Sequence, residues 1–306
     1  MSKLKMAVLP DPDGSAADVA RRAGAEVVGL DEAEALAWTT SATAEFPAAL
    51  PDSIRWVQLP SAGVEQWLDA GIIDDARTWT AAIGAYAAPV AEHALLLLLA
   101  GLRRMPDCVR ATTWSKSELM PQVGTLGGAA VAIIGCGSIG RALIPPLRAL
   151  GAEVVAVTRS GRDVPGAART LAAADSGEVW SQADHVVIAA PATSDTRHLV
   201  GRDQLSRMRP GAWLVNVARG SVVDTDALVG ALDEGRIGGA ALDVTDPEPL
   251  PDDHPLWTHP RAIITPHIAN PAVTLRRGFH ERLAHNIAEH LAGRRPAGTV
   301  DLVRGY

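Results

Sequence analysis

Short apolar runs alternate with helix-like segments through the first third of the chain. Apolar runs lie at residues 5–10, 26–30 and 54–59, and helix-forming residues at 15–23 separate the first two. Each run ends at a proline or at turn-forming or acidic residues. This alternation predicts βα units and a parallel sheet.

A second series of apolar runs begins near Leu126. The first run, AVAII, is unbroken, as expected of a strand buried on both faces. Helices are predicted before and after the series, at 89–104 and 276–291. Six strands in this rhythm predict a complete doubly wound domain. The six predicted strands lie at 130–134, 153–157, 185–190, 213–217, 239–244 and 262–265.

Composition narrows the class of protein. The 306 residues are 47% hydrophobic and 21% charged, which suits two soluble globular domains. The net charge of −7 argues against a nucleic-acid partner or an acidic membrane. The longest apolar stretch, Ala94 to Leu102, is too short to span a bilayer, and the N-terminus lacks the pattern of a signal peptide. Two separated cysteines, Cys108 and Cys136, suit a reducing cytosol and argue against a structural zinc site. We therefore expect a cytoplasmic protein with no metal.

A glycine-rich loop directly follows the AVAII strand. Gly135, Gly137 and Gly140 form a GxGxxG motif that also contains Ser138 and Ile139, and the next predicted helix opens at Arg141. The first glycine permits a tight turn, the second lets backbone approach a pyrophosphate, and the third lets the helix pack on the strand. The N–H groups at the start of the helix face the phosphates. Because strand, loop, helix and next strand follow in order, the motif predicts dinucleotide binding.

The end of the next predicted strand bears on the choice of dinucleotide. In NAD-binding domains of this type, an acidic residue there accepts hydrogen bonds from the ribose hydroxyls. Here the chain reads Thr158, Arg159, Ser160, and then Gly161 and Arg162, without a carboxylate. A carboxylate would repel a 2′-phosphate, whereas an arginine pairs with it. The pattern predicts NADP as the preferred cofactor. The alternative is an arginine that stacks on adenine and leaves NAD usable.

Three polar segments follow later predicted strands and contain Arg219, Glu248 and His267. Doubly wound folds bind ligands at the carboxyl edge of the sheet, so these side chains are expected to converge. Arginine matches a carboxylate and polarises a carbonyl, histidine donates a proton, and glutamate orients the histidine and favours its charged form. Singly, each could be an ordinary surface or capping residue. As a set at consecutive strand ends, they predict hydride transfer to a 2-oxo acid.

These segments resemble the D-isomer-specific 2-hydroxyacid dehydrogenases. The resemblance implies an α/β fold of two doubly wound parallel-sheet domains. A Rossmann cofactor domain, 100–269, is inserted in a flavodoxin-like substrate domain formed by 1–99 and 270–306. It also implies a homodimer joined through the cofactor domain. The matching segments are SAGVE at 61–65, PVAEHAL at 89–95, IIGCGSIG at 133–140, PATSDTRHLVG at 191–201, VNVARGSVVD at 215–224, ALDVTDPEPLP at 241–251 and TPHIAN at 265–270.

The resemblance also implies roles for individual residues. It gives Arg219, Glu248 and His267 the catalytic roles argued above. It implies that a loop binds the substrate carboxylate through backbone N–H groups, namely Ser61, Ala62, Gly63 and Val64. It implies cofactor contacts at Pro191, Thr196, Val217, Ala218 and Asp243, the last with the nicotinamide amide.

The expected activity is reduction of a small 2-oxo acid by NAD(P)H to the D-2-hydroxy acid. The closing VDLVRGY resembles the glyoxylate/hydroxypyruvate reductase-like branch. Formate dehydrogenases of this superfamily carry glutamine where Glu248 stands, which argues against that branch. One alternative is a short phosphoglycerate-type or phosphite dehydrogenase. An alternative of another class is a non-catalytic protein that senses dinucleotide, against which the complete Arg, Glu and His set speaks.

Overall fold

A computed structural model describes residues 3–302 and residue 304. Parts of the closing VDLVRGY, namely 303, 305 and 306, lie outside the described residues. The chain forms two compact units. One contains the described residues before Ala87 and after Asn270, and the other contains 87–270.

The described residues form twelve strands and ten α-helices. The strands are β1 Lys5–Leu9, β2 Glu26–Val27, β3 Ala35–Trp38, β4 Trp56–Gln58, β5 Thr78–Thr80, β6 Ala130–Ile134, β7 Glu153–Thr158, β8 Arg169–Ala172, β9 His185–Ile188, β10 Trp213–Asn216, β11 Gly239–Leu242 and β12 Ala262–Ile264. The helices are α1 Ser15–Arg22, α2 Glu65–Asp69, α3 Ala87–Leu102, α4 Met105–Arg110, α5 Lys116–Leu119, α6 Ser138–Ala149, α7 Val179–Gln182, α8 Arg202–Arg207, α9 Thr225–Asp233 and α10 Ala272–Leu291.

The first unit is a five-stranded parallel sheet in the order β2-β1-β3-β4-β5. This is the flavodoxin-like order, with a switch point between β1 and β3. Helices α1 and α10 supply Ala20, Leu283 and Ile287 to a core on one side of the sheet. Buried aromatic residues, including Trp67 and Trp79, belong to a separate core cluster. The sequence pattern did not predict β3 or β5, which are only four and three residues long.

The second unit is a seven-stranded parallel sheet in the order β12-β11-β10-β9-β6-β7-β8. Counted from β6, this is the Rossmann order 3-2-1-4-5-6 with β12 added at one edge. The prediction of six strands is corrected to seven. The missed strand, β8, has no buried residue and therefore no apolar run to mark it. The prediction of two doubly wound parallel-sheet domains is confirmed.

Helix α3 packs on α6 and on β10 within the second unit. Gly101 permits this approach, because a methyl group there would lie 2.4 Å from the ring of Trp213. The boundary predicted between residues 99 and 100 would divide this helix, whereas the compact unit begins at Ala87. No helix in the described part of the chain is both long and apolar enough to cross a membrane.

The two sheets differ at the helix that follows their first strand. In the first unit, the carboxylate of Asp11 accepts the N–H groups of Ala16 and Ala17 at the start of α1, at 3.2 and 2.8 Å. In the second unit, α6 begins after Gly137, and no side chain caps it. The positive end of the α6 dipole is therefore not neutralised by a capping carboxylate.

Candidate active site

The GxGxxG loop follows β6 at the switch point of the second sheet, where the strand order reverses. Gly135 has φ +84°, and a methyl group there would lie 2.3 Å from Cα of Ala190, after β9. At Gly140 a methyl group would lie 2.8 Å from Sγ of Cys136, so the glycine lets α6 pack on β6. At Gly137 it would meet no other atom closer than 3.9 Å. The loop thus packs tightly against backbone at its first glycine and against side chains at its third, and has open space at its second, as a pyrophosphate requires.

The strand beside this loop ends in an unsatisfied polar group. Oγ1 of Thr158, the last residue of β7, is buried and has no hydrogen-bond partner among the described residues. A buried hydroxyl without a hydrogen-bond partner lowers the stability of the fold. The unpaired hydroxyl of Thr158 therefore fits a bound ligand that supplies the missing partner. Arg159 and Ser160 follow and are exposed. Together with the uncapped start of α6, these features fit a dinucleotide.

Cys136 lies inside the glycine loop and is 2% exposed. Burial raises the pKa of its thiol to about 11, which the charge of Arg141 only partly offsets. The thiol is therefore neutral at physiological pH and serves as a small packing group under α6.

Arg219 lies on a turn that is braced by a buried amide. At the end of β10, Nδ2 of Asn216 donates to the carbonyl oxygen of Arg219 at 2.9 Å. Oδ1 of the same amide accepts the N–H of Ala218 at 3.0 Å. Asn216 is completely buried, and Arg219 is partly exposed. The turn therefore presents the guanidinium from a fixed backbone.

Glu248 and His267 form a direct pair. Oε1 of Glu248 lies 2.6 Å from Nδ1 of His267, and both side chains are about half exposed, at 41% and 51%. Because an ionised carboxylate only accepts hydrogen bonds, Nδ1 must carry the proton. Nε2 is then the ring nitrogen left to exchange a proton with a ligand. The second carboxylate oxygen accepts the N–H of Thr245 at 3.5 Å.

The backbone of His267 is held in an unusual conformation. Its φ is +53°, a value in the left-handed region that residues other than glycine rarely adopt. The N–H of His267 donates to the carbonyl oxygen of Asp243 at 2.8 Å. The carboxylate of Asp243, 2% exposed, accepts the next two N–H groups, those of Ile268 and Ala269, each at 3.0 Å. Asp243 thus fixes three successive amides and holds the loop in its strained form.

Two further side chains approach this carboxylate. The Thr265 hydroxyl lies 2.6 Å from Oδ1 of Asp243. Nε2 of His93, on α3, lies 2.9 Å from the Thr265 hydroxyl and 3.3 Å from Oδ1. The sequence pattern missed His93 and Thr265 as site residues. A histidine within an otherwise apolar helix was the available signal, because a buried imidazole needs a polar partner.

In the first unit, the loop after β4 has a side-chain hydroxyl that is already hydrogen-bonded and backbone N–H groups that are not. Oγ of Ser61 donates to the carbonyl oxygen of Gly63 at 2.7 Å and accepts Nε1–H of Trp67 at 3.2 Å. The phenol of Tyr86 donates to the carbonyl oxygen of Pro60. Within the described residues, the N–H groups of Ala62, Gly63 and Val64 make no hydrogen bond. Successive free amides of this kind suit a bound anion.

The comparisons with known proteins agree with this geometry. Residues 93–269 match the model of the D-isomer specific 2-hydroxyacid dehydrogenase, NAD binding domain, which covers more than half of the chain. The chain belongs to the D-isomer specific 2-hydroxyacid dehydrogenase family. The second unit of this dehydrogenase is therefore the NAD-binding domain of an oxidoreductase, and its cofactor is a nicotinamide dinucleotide.

Individual relatives differ in how much of the dehydrogenase they match. It is 41% identical over 264 residues, 86% of both chains, to an uncharacterized protein in the proB 3′ region of Corynebacterium melassecola. It is 36% identical to glyoxylate/hydroxypyruvate reductase A of Serratia proteamaculans over 58% of this chain and 56% of that enzyme. A solved D-isomer specific 2-hydroxyacid dehydrogenase from Xanthobacter autotrophicus Py2 is 25% identical, covers 100% of both chains and gives a TM-score of 0.82.

The fold brings most of the sequence-predicted residues of the second unit to one edge of its sheet. The strands before Gly135, Thr158, Arg219, Asp243 and His267 are all parallel, so their carboxyl ends share that edge. Val217 and Ala218 are buried beside Arg219. The hydroxyl of Thr196 donates to the carbonyl oxygen of Pro191 at 2.7 Å. The individual roles of these residues stay predictions. No group of three or more His, Cys, Asp or Glu side chains within residues 3–302 and 304 is arranged to hold a metal ion.

Proposed function

We propose that this dehydrogenase reduces a small 2-oxo acid, of the glyoxylate or hydroxypyruvate kind, to the D-2-hydroxy acid, with NADPH preferred. The pair of Glu248 and His267 carries the proposal, because an imidazole held through Nδ1 by a carboxylate is a proton donor with a fixed orientation. The NAD-binding domain supports the same chemistry, since a reduced nicotinamide supplies the hydride when bound.

Arg219, His267 and Glu248 have different roles in the proposed reaction. The guanidinium of Arg219 binds the substrate carboxylate and draws electron density from the neighbouring carbonyl oxygen. Nε2–H of His267 gives its proton to that oxygen as the carbonyl carbon accepts hydride. The carboxylate of Glu248 stabilises the imidazolium before the transfer and keeps the ring oriented after it. In the reverse direction, neutral His267 removes the hydroxyl proton.

The free amides of Ala62, Gly63 and Val64 support a role of the loop after β4 in binding the substrate carboxylate. Trp67 and the carbonyl oxygen of Gly63 occupy Oγ of Ser61, so the backbone rather than the side chain faces the ligand. We assign this loop to a substrate domain that corresponds to the first unit, and the dinucleotide to a cofactor domain that corresponds to the second unit. The names of relatives support the substrate class, because the Serratia enzyme is a glyoxylate/hydroxypyruvate reductase.

The strand end at Thr158 supports the preference for NADPH. No carboxylate lies between residues 158 and 162, and exposed Arg159 and Ser160 follow the buried hydroxyl of Thr158. Arginine pairs with a 2′-phosphate through charge-assisted hydrogen bonds. The Xanthobacter structure was solved with NADPH.

Exposed apolar side chains after α3 support a homodimer joined through the cofactor domain. Val109, Trp114 and Met120 are 76%, 89% and 62% exposed within a stretch of twelve residues. An apolar surface of this kind is typical of an interface, and a second copy of the chain is the partner we propose. We also propose a cytoplasmic location, with neither a nucleic-acid nor a membrane partner.

The test is a set of steady-state assays in which NADPH or NADH is oxidised by glyoxylate, hydroxypyruvate, pyruvate and larger 2-oxo acids. We expect the highest kcat/KM with one of the first two acids and NADPH. In parallel assays with NADP⁺ or NAD⁺ as the hydride acceptor, faster oxidation of phosphite or 3-phosphoglycerate would favour the related dehydrogenases instead. Tight dinucleotide binding without turnover of any of these compounds would favour a sensor.

A further inference from the structure

We propose that His93 is a positioning residue for His267, acting through Thr265 and Asp243. The inference rests on the proposed function, because it takes His267 as the proton donor. His93 lies on α3, and its side chain is 13% exposed. Its hydrogen bond goes to Thr265 and it also approaches Asp243, whereas the proton-donating pair consists of Glu248 and His267.

The distances fix the direction of the hydrogen bonds among His93, Thr265 and Asp243. Oγ1 of Thr265 and Oδ1 of Asp243 are 2.6 Å apart, so a proton must lie between them, and an ionised carboxylate cannot supply it. Thr265 therefore donates to Asp243. Its oxygen must then accept from Nε2 of His93, 2.9 Å away, which assigns the proton of His93 to Nε2.

The carboxylate of Asp243 receives all of these donors in a buried place. Its side chain is 2% exposed, and its oxygens accept the Thr265 hydroxyl and the amides of Ile268 and Ala269. Nε2 of His93 also lies 3.3 Å from Oδ1, so the positive end of its N–H dipole favours the negative charge of Asp243. A buried carboxylate is stable only when hydrogen-bond donors surround it. Removal of one donor therefore causes the remaining donors around Asp243 to rearrange.

The rearrangement would reach His267 because Asp243 holds the two amides that follow it. The left-handed φ of +53° at His267 persists only while its neighbours are fixed. Without the donor from His93, the Thr265 hydroxyl is free to rotate away from Oδ1. The amides of Ile268 and Ala269 are then held less firmly, and the imidazole of His267 spends less time in line with Glu248 and the substrate.

The activity experiment compares two changes at one position. His93→Leu removes the donor and keeps the volume, whereas His93→Gln places an N–H near the position of Nε2. We expect His93→Leu to lower kcat about 10-fold, the loss equivalent to one hydrogen bond, with the KM for the dinucleotide unchanged. His93→Gln should recover most of that loss. Glu92→Gln, an exposed change on the same helix, is the matched control.

A second readout does not need turnover. In wild-type protein, hydrogen exchange of the Ile268 and Ala269 amides should be slow, and His93→Leu should accelerate it while His93→Gln and Glu92→Gln should not. Unchanged exchange in His93→Leu would overturn the inference. If the wild-type protein reduced no 2-oxo acid, the proposed function would fail, and these exchange rates would still decide the role of His93.

A double-mutant cycle completes the test. Thr265→Val keeps the shape of the side chain and removes the hydroxyl through which His93 acts. Addition of His93→Leu to Thr265→Val should therefore accelerate exchange little further, because the two residues act in one chain of hydrogen bonds. Fully additive effects would show that His93 acts by another route, and so would equal losses of kcat in His93→Leu and His93→Gln.

Discussion

Gly220 and Thr245 touch backbone to backbone. A methyl group at Gly220 would lie 1.8 Å from the carbonyl oxygen of Thr245, which no small adjustment can relieve. Gly220 directly follows Arg219, and the N–H of Thr245 donates to Glu248. This contact therefore sets the distance between the turn that holds Arg219 and the loop that holds Glu248.

Gly220→Ala should separate the two loops and lower kcat/KM for the 2-oxo acid by about 100-fold or more, as small misplacements of catalytic groups do. Binding of NADPH, followed by its fluorescence, should change much less. Gly230→Ala is the matched control, because a methyl group there would meet nothing within 4 Å. Equal activity of the two variants would show that the contact does not position the site.

Glu248→Gln and His267→Asn separate orientation from proton donation. The glutamine keeps a hydrogen-bond acceptor for Nδ1 of His267 but removes the negative charge, so we expect a moderate loss of kcat. His267→Asn removes the proton donor, and the expected loss is about 10²–10⁴-fold, the usual range for a general acid. Both variants should bind dinucleotide with near-native affinity in a fluorescence titration. Near-native turnover in His267→Asn would refute its role.

Arg159→Ala tests the cofactor preference. One charge-assisted hydrogen bond to a 2′-phosphate contributes about 1.5–3 kcal/mol, so wild-type kcat/KM with NADPH should exceed that with NADH by about 10-fold or more. In Arg159→Ala this ratio should fall towards unity, mainly through a higher KM for NADPH. Arg162→Ala, three residues further along, is the comparison variant. A wild-type preference for NADH would contradict the proposal and leave the dehydrogenase activity standing.

His185 predicts loss of stability in acid. Its Nδ1 accepts the N–H of Trp213 at 3.2 Å, and burial lowers the pKa of the imidazole, although the charge of Asp184 works against this. The unfolded chain therefore binds a proton at higher pH than the folded chain does. The free energy of unfolding should then decrease as the pH falls below the unfolded value of 6.5.

His185→Asn checks this pH dependence, because Oδ1 of asparagine accepts the same N–H without titrating. We expect Tm, measured by circular dichroism between pH 7 and 5, to fall less in the variant than in wild type. His198→Asn is the control, since His198 is exposed and has a positive φ that asparagine tolerates. Parallel Tm curves for all three proteins would count against a contribution from His185.

Buried strands and the glycine loop were accessible from sequence because their signals are local. Strand β6 was predicted with its exact bounds, since four of its five residues are buried apolar side chains after a partly buried first one. Strand β8 was not, because an edge strand without buried residues has no apolar pattern. The link between His93 and Asp243 joins residues far apart in the chain. Only the fold, which packs α3 against β10 and β11, brings these two residues together.

The contrast between Asp11 and Gly137 gives the two parallel sheets different capacities to bind an anion. Each places a helix after its first strand, and such a helix start attracts anions. In the first sheet the chain provides its own anion, because Asp11 occupies the amides of α1. In the second, glycine provides none. Carboxylates of the chain therefore occupy the start of α1, whereas the start of α6 has no capping side chain and is suited to a phosphate from outside the chain.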